Sequence, residues 1–523
     1  MKKTLAAVLA VGLALSSTGT ALAEESTSAA TYEGSVMNIG VTSSTASWNP
    51  FTGTGSSTGV GQASTMIYET LMDLSMNPVL AYDYEKIDDV TYDFYIWDNI
   101  VDSQGNAITA SDVVFSYEQA IAGGNAHGIS IIDTVTAVDD YTVEFTFTHE
   151  PYIGDLESVA GQVAIISQAA YEASEDNMAT EPIGTGPYVL TEWVPDSITT
   201  VTVRDDYWAS EDQIGSDMMK SNIETVNFVV ISEASQSTIA LENGTIDYSA
   251  NITTADLTFF EEGGVDSENY YVEQLAQGLT TVLLANMSED SILGDNQALR
   301  EAVFYAIDVP SIIVGASSGN GIITYDASNA SLSDYNTEWN DEDNYYHYNV
   351  ETAQEKLAEA GYSSGEVSLT LFCESGDEYT NMATLIQAFL ANIGINVEIE
   401  AYDSAILNEY AADSTQWDLI LSLTGSEDYI VNSWAHLFDP ENYSNGMSIN
   451  FIDDQEMFDL LNLCKTYDGH TEENLNAFHE YITGNAVAMG LYNSYTNSVV
   501  NRKYELSYTQ QMSIIPQATV IVE

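Results

Sequence analysis

Catalysis and metal binding need particular side chains at fixed spacings. In this sequence of 523 residues those side chains stand apart. The six histidines are His127, His149, His347, His436, His470 and His479. None belongs to an H-E-x-x-H pair, and none lies at zinc spacing from a cysteine. His470 and His479 are nine residues apart, which is not one helical face. The string GTGSSTG at 53–59 has phosphate-loop glycines but lacks the G-K-[ST] ending that meets phosphate and magnesium. Asn340-Asp341-Glu342-Asp343-Asn344 gathers oxygen ligands without the glycine and closing glutamate of a calcium loop. A glycosidase pair cannot be singled out among 80 acids. No metal or cofactor is expected, and no enzyme.

Those 80 acids face 10 Lys and Arg, a formal net charge of −70. The imbalance is mainly a shortage of bases. Lys2 and Lys3 precede an apolar run; without them the balance is 8 − 80, or −72. Eight scattered bases cannot make the basic stripe that nucleic acid or an anionic membrane requires. Hydrophobic residues make up 45% and aromatics 11%, enough to exclude disorder. The length predicts two or three domains with large cores.

The elements that must position any site follow from hydrophobic period. Residues 36–41 read as a first strand, followed by a Ser/Thr/Gly-rich loop. Residues 63–74 have helical period. Residues 92–97 and 141–147 alternate as strands, with a helix from about Asp112 between them. Strands 188–193 and 199–204 read as a hairpin. Strand 224–231, helix 234–242 and a strand at 246–248 give strand–helix–strand order, as do 368–373, 381–392 and 396–401. Helices are expected at 298–307, 350–360, 453–467 and 474–485, and a buried strand at 416–423. The class is α/β.

Residues 1–23 have the form of a secretory signal: two lysines, an apolar run from Leu5 to Leu15, and Ala21 and Ala23 at the cleavage positions. The chain is expected to be exported, to the periplasm or the cell exterior, and no lipid-attachment cysteine follows the signal. Cys373 and Cys464 are expected as two buried free thiols, although export permits a disulfide.

Several segments, read in order, resemble the extracellular solute-binding proteins of family 5, the dipeptide- and oligopeptide-binding proteins of ABC transporters. Ile67-Tyr68-Glu69-Thr70-Leu71 is similar to that family's early helix. Gly105 through Glu118, GNAITASDVVFSYE, resembles D-G-x-P-x-T-A-x-D-V-x-x-S. Gly184-Thr185-Gly186-Pro187-Tyr188 followed by Arg204-Asp205-Asp206-Tyr207-Trp208 resembles G-T-G-P-Y and N-x-x-Y-W. Leu241 to Asp247, LENGTID, resembles L-x-x-G-x-x-D. Leu299-Arg300-Glu301-Ala302 with Tyr305-Ala306-Ile307-Asp308 resembles R-x-A-x-x-Y-A-I-D. Tyr348-Asn349 through Ala360-Gly361-Tyr362 resembles Y-N-x-x-x-A-x-x-L-x-x-A-G-Y.

The resemblance implies a two-lobed periplasmic-binding-protein clamp of type II, cluster C. Lobe 1 is expected from 36–76, 182–275 and 490–523, an extra subdomain of it from 77–181, and lobe 2 from 276–489, after a mobile tail at 24–35. A peptide or small-molecule ligand closed between the lobes is then handed to the membrane subunits of an ABC permease. The protein is expected to act as a monomer.

By the same resemblance, an Asp after the buried strand of lobe 2 holds the ammonium of a bound peptide. Asp428 is the matching position and Glu427 the neighbouring alternative. Leu423, Thr424, Gly425 and Tyr429 surround it in sequence. Trp48, Tyr429 and Trp434 are candidate walls or ordinary core, and Thr45 lies on the loop after the first strand. A buried ammonium needs a paired charge and full hydrogen bonding, which a carboxylate supplies.

The loop at 374–378 reads Glu-Ser-Gly-Asp-Glu where dipeptide-specific members carry an Arg, so a strict dipeptide binder is not expected. Val309 replaces the family's common base after Y-A-I-D, and Ser103-Gln104-Gly105 replaces H-D-G. Arg204 and Arg300 lie in motifs that read as structural. Oligopeptides or other amine-bearing solutes are the leading ligands. A nickel chelate, haem, a sugar or an opine on the same fold is the alternative, and a secreted hydrolase the alternative of another class.

Overall fold

The computed structural model describes residues 32–52, 61–123, 128–341, 345–425, 428–443, 448–509 and 513–522. The export signal, the 53–59 string, His127, Glu427 and residues 342–344 of the acidic cluster lie outside them.

The strands are β1 (Tyr32–Val41), β2 (Ala81–Lys86), β3 (Thr91–Ile96), β4 (Ile132–Ala137), β5 (Thr142–Phe147), β6 (Tyr188–Val194), β7 (Ile198–Val203) and β8 (Ile223–Val230). There follow β9 (Tyr248–Ser249), β10 (Tyr270–Ala285), β11 (Gly321–Ile323), β12 (Val367–Glu374), β13 (Ile395–Tyr402), β14 (Leu419–Gly425) and β15 (Ala488–Asn501). One long sheet runs β13-β12-β14-β10-β15-β9-β1-β8-β7-β6, with β11 added to β15. A separate sheet has the order β2-β3-β5-β4.

Alternation explains the small sheet. Tyr92, Phe94 and Ile96 of β3 and Val143, Phe145 and Phe147 of β5 all point inward, as period two requires. They join one apolar cluster with Met37, Ile39 and Phe228 of the large sheet, so the two sheets share a core. In the other half, β10 sends Leu283 and Ala285 to one face and Val282 and Leu284 to the other. Helices Gln297–Tyr305, Val350–Glu359 and Asp377–Asn392 cover the first face. Helices Ile430–Phe438, Gln455–Lys465 and Glu472–Gly484 cover the second. This is an α/β/α stack, in which β12, β13 and β14 are parallel.

Two of the family-like motifs meet in space. Glu69 is 3% exposed; the Tyr207 hydroxyl donates to its Oε1 and the Trp208 indole to its Oε2 at 3.0 Å. Burial pushes its carboxyl above the ordinary range, against the pull of those donors and of Arg204. Gly184 and Gly186 are required because the backbone of Ile67 lies against them. A Cβ at Gly184 would sit 2.0 Å from the Ile67 carbonyl oxygen.

That docking also corrects one expectation. The helical period at 63–74 ends early, and the helix is only Gly61–Ile67. The carbonyls of Glu69, Thr70 and Leu71 instead accept Ile165, Leu80 and Ala81 N–H groups, so tertiary pairing overrides local period. Strand β1 begins at Tyr32, which pairs with Ile223 and donates its N–H to the Asn222 carbonyl at 2.8 Å.

The two halves of the large sheet are joined by β10 and β15. Ala276 pairs with Tyr495 and the next pair is Thr280 with Asn493, so β10 takes four steps where β15 takes two. The extra residues form a bulge. Among the described residues, none of 273–281 or 493–498 belongs to an apolar cluster. The sheet is thus continuous in hydrogen bonds but interrupted in its core. Asn493, fully buried, holds the bulge by donating to the Leu279 carbonyl (3.1 Å) and the Thr280 hydroxyl (2.6 Å). It also accepts the Ala330 N–H at 3.2 Å.

Candidate functional site

Parallel strands place their carboxyl ends on one edge, and ligands of open α/β sheets lie there, at points where strand order switches. In this chain β14 runs out to Gly425 against the bulge of β10, and β12, on the other side of β14, ends at Glu374. Leu423 pairs with Thr281, Thr424 with Thr280 and Gly425 with Leu279. Gly425 is where backbone approaches closely, and the backbone is that of β10: a Cβ there would lie 2.5 Å from the Gly278 carbonyl oxygen. The Thr424 hydroxyl donates to the Ser433 carbonyl at 2.6 Å and ties the strand end to helix Ile430–Phe438. Asp428 and Tyr429 are partly buried between them.

A seam crosses from this point to the segment 152–157 of the other half. Glu157 is 7% exposed, and its two oxygens accept the hydroxyls of Tyr429 (3.0 Å) and Tyr467 (3.1 Å). Burial first, and Glu157 second, push both phenols up. The Ile153 N–H donates to the Lys465 carbonyl at 2.9 Å. The Lys465 ammonium pairs with Asp439 at 2.5 Å and stands 4.3 Å from the Tyr152 ring centre. Gly154 has φ +89°, a left-handed backbone conformation that favours glycine, and it lies against the Asn432 and Tyr429 side chains. Behind Tyr429, Asp334 accepts the Ile430 N–H at 3.0 Å and stands 3.1 Å from His470 Nε2.

The structure brings Leu423, Thr424, Gly425, Asp428 and Tyr429 to one strand end. It does not bring the other expected residues there. Trp434 is fully buried on the inner face of its helix, donates to Asp326 at 2.7 Å and packs on Phe478; of its two expected roles this is core packing. Trp48 is 1% exposed, edge-on to Trp193, with its carbonyl accepting Tyr68. Thr45 is buried nearby and donates to the Ser47 carbonyl at 2.8 Å. Both belong to the loop after β1. The seam residues Glu157, Tyr467, His470 and Asp334 carry no sequence signal, being one acid among many and partners hundreds of positions away.

Among the described residues, no group of three His, Cys, Asp or Glu could hold a metal ion, and no helix is long and apolar enough to cross a membrane. Gly315-Ala316-Ser317-Ser318-Gly319 matches G-x-S-x-G, but Ser317 caps the end of helix Val309–Ala316, whereas a nucleophile elbow lies between strand and helix. Cys373 and Cys464 are free and buried, with burial pushing their thiols up to about 11 and about 12. Arg204 and Arg300 are engaged within the fold, Arg300 by the carbonyls of Leu293, Gly294, Asn485 and Ala486.

Known proteins resemble the whole arrangement. The dipeptide-binding protein of Escherichia coli is 24% identical over 449 residues, covering 78% of this chain and 80% of that one. The heme-binding protein A of Haemophilus influenzae is 24% identical over 440 residues, covering 77% of each. Among solved structures, the binding protein DppA of Helicobacter pylori in complex with the peptide STSA has a TM-score of 0.65 at 22% identity, covering 93% of this chain and 98% of that one. The fold is the two-lobed clamp of type II periplasmic binding proteins. The model of the bacterial extracellular solute-binding proteins, family 5, matches residues 75–445, and this chain belongs to that family.

Proposed function

We propose that this protein is the substrate-binding component of an ABC importer and captures oligopeptides between its two lobes. The observation that carries the reading is the end of β14 meeting the β10–β15 joint, with Glu378 beyond β12 reaching Tyr492 there, in a family whose relatives include a dipeptide-binding protein. The lobes divide at the bulge between Ala276 and Thr280 and at Asn493. Residues 77–181 move with the first lobe, whose core they share. Asp428 receives the peptide ammonium, with Glu427 beside it and Tyr429 as a wall. Backbone pairing supplies affinity that does not read side chains. The chain is exported by its first 23 residues, works as a monomer and leaves its ligand chemically unchanged.

Isothermal titration with free and N-acetylated peptides tests the reading. Binding of the free peptide, weakened on acetylation, is expected; equal affinity for both removes the ammonium role of Asp428. A peptide hydrolysed during long incubation contradicts the assignment as a binding protein. A haem ligand is the second reading, favoured by the Haemophilus relative. It predicts a shifted absorbance band on haem titration and no heat with peptides.

A further inference from the structure

Every cationic side chain among the described residues has its partner inside the chain. Lys86 pairs with Glu150 at 2.7 Å, Arg204 with Asp206 at 2.8 Å and Lys220 with Asp217 at 2.6 Å. Lys356 pairs with Glu301 and Lys465 with Asp439, both at 2.5 Å, and Lys503 stands 3.6 Å from Asp247. Arg300 is ringed by four carbonyls, and Arg502 donates to the Ser267 carbonyl at 2.9 Å. These are all eight bases that follow the export signal.

The carboxyl ends of the parallel strands on this side of the joint carry the opposite charge. Glu374 ends β12, and Asp377 and Glu378 follow it; Asp403 follows β13; Asp428 follows β14. Glu378 faces the joint directly, because the Tyr492 hydroxyl of β15 donates to its Oε1 at 2.5 Å. Asp403 accepts the Ser375 hydroxyl at 2.7 Å, which ties the ends of β12 and β13 together. Lys465, the base at the seam, is neutralised by Asp439 and covered by Tyr152.

A ligand carboxylate enclosed here would lose water, meet like charge and find no free cation, which is the costly case for a buried ion. An ammonium or an uncharged amide end meets neither penalty. Resting on the reading of this joint as the ligand cleft, we infer that the cleft selects amine-bearing peptides whose enclosed segment ends without a carboxylate: amidated peptides, or longer chains whose carboxyl end lies outside. The acidic edge then sets specificity as well as attraction.

The test is calorimetric titration of the exported full-length chain with alanine peptides of three to five residues, each as free acid and as C-terminal amide. At the best-binding length the amide is expected to bind about tenfold tighter at low ionic strength, where charge is least screened. A free acid that binds as tightly as the amide, or more tightly, overturns the inference and leaves peptide capture standing. If neither form binds, peptide capture itself fails and the inference falls with it.

Discussion

Two buried carboxylates make the same contacts in different places. Glu69 and Glu157 are both almost fully enclosed, and each accepts two aromatic donors. Glu69 ties Tyr207 and Trp208 to the edge of a core that also takes in the small sheet, and nothing there needs to move. Glu157 ties that same half of the molecule to Tyr429 and Tyr467, across the seam to the other half. The chemistry is equal, but the context differs: one carboxylate is surrounded by continuous apolar core, the other lies where the apolar clusters of the two halves meet. A tie within a core stabilises the fold, and a tie across a seam sets how readily the halves separate.

Replacing Glu69 by Ala breaks the comparison most sharply. It leaves a buried phenol and a buried indole without an acceptor, and should cost about 3 kcal/mol or more, read as a lower urea midpoint. Asn493→Ala leaves the Leu279 carbonyl and the Ala330 N–H unpartnered at the bulge. A loss of about 2 kcal/mol is expected, with lobe separation altered in small-angle scattering. Glu157→Ala should lower the unfolding free energy by less than about 1 kcal/mol, because its tyrosines can reach water once the seam opens. It should instead shift scattering toward more open molecules and weaken peptide binding about fivefold, since the binding-competent arrangement is less populated. A stability loss as large as that of Glu69→Ala would make the two carboxylates equivalent and end the distinction.

The smallest effect is the pH dependence of Glu69. Its folded-state carboxyl titrates above the unfolded value, so its contribution is fully present below the ordinary glutamate range and is lost as pH rises through the raised folded value. The urea-midpoint advantage of the native chain over Glu69→Gln should therefore grow as pH falls from neutrality toward that range. A constant difference would show that Glu69 titrates normally.

Much of this was legible in the chain. The helix at 234–242 and the strand at 188–194 follow from period and turn residues. The pairing of Tyr207 and Trp208 with Glu69 gives the physical reason why two separated motifs occur together. Other parts could not be read. The 16 residues of β10 span two environments, so only the stretch from Thr280 onward has the pattern of a buried strand. Trp434 has the same local sequence whether it faces a ligand or a core, and only the packing of Phe478 and Trp339 on it decides.

By itself the sequence determined the element types, the family and the excess of acid, because hydrophobic period, motif order and charge count depend on residue identity and short spacing. The tertiary structure alone decided which charges remain free. Glu157 finds partners 272 and 310 residues away, and eight bases find theirs one at a time. Pairing is a property of distance in space, so a shortage of cations becomes a property of one edge of the sheet only once the chain has folded around it.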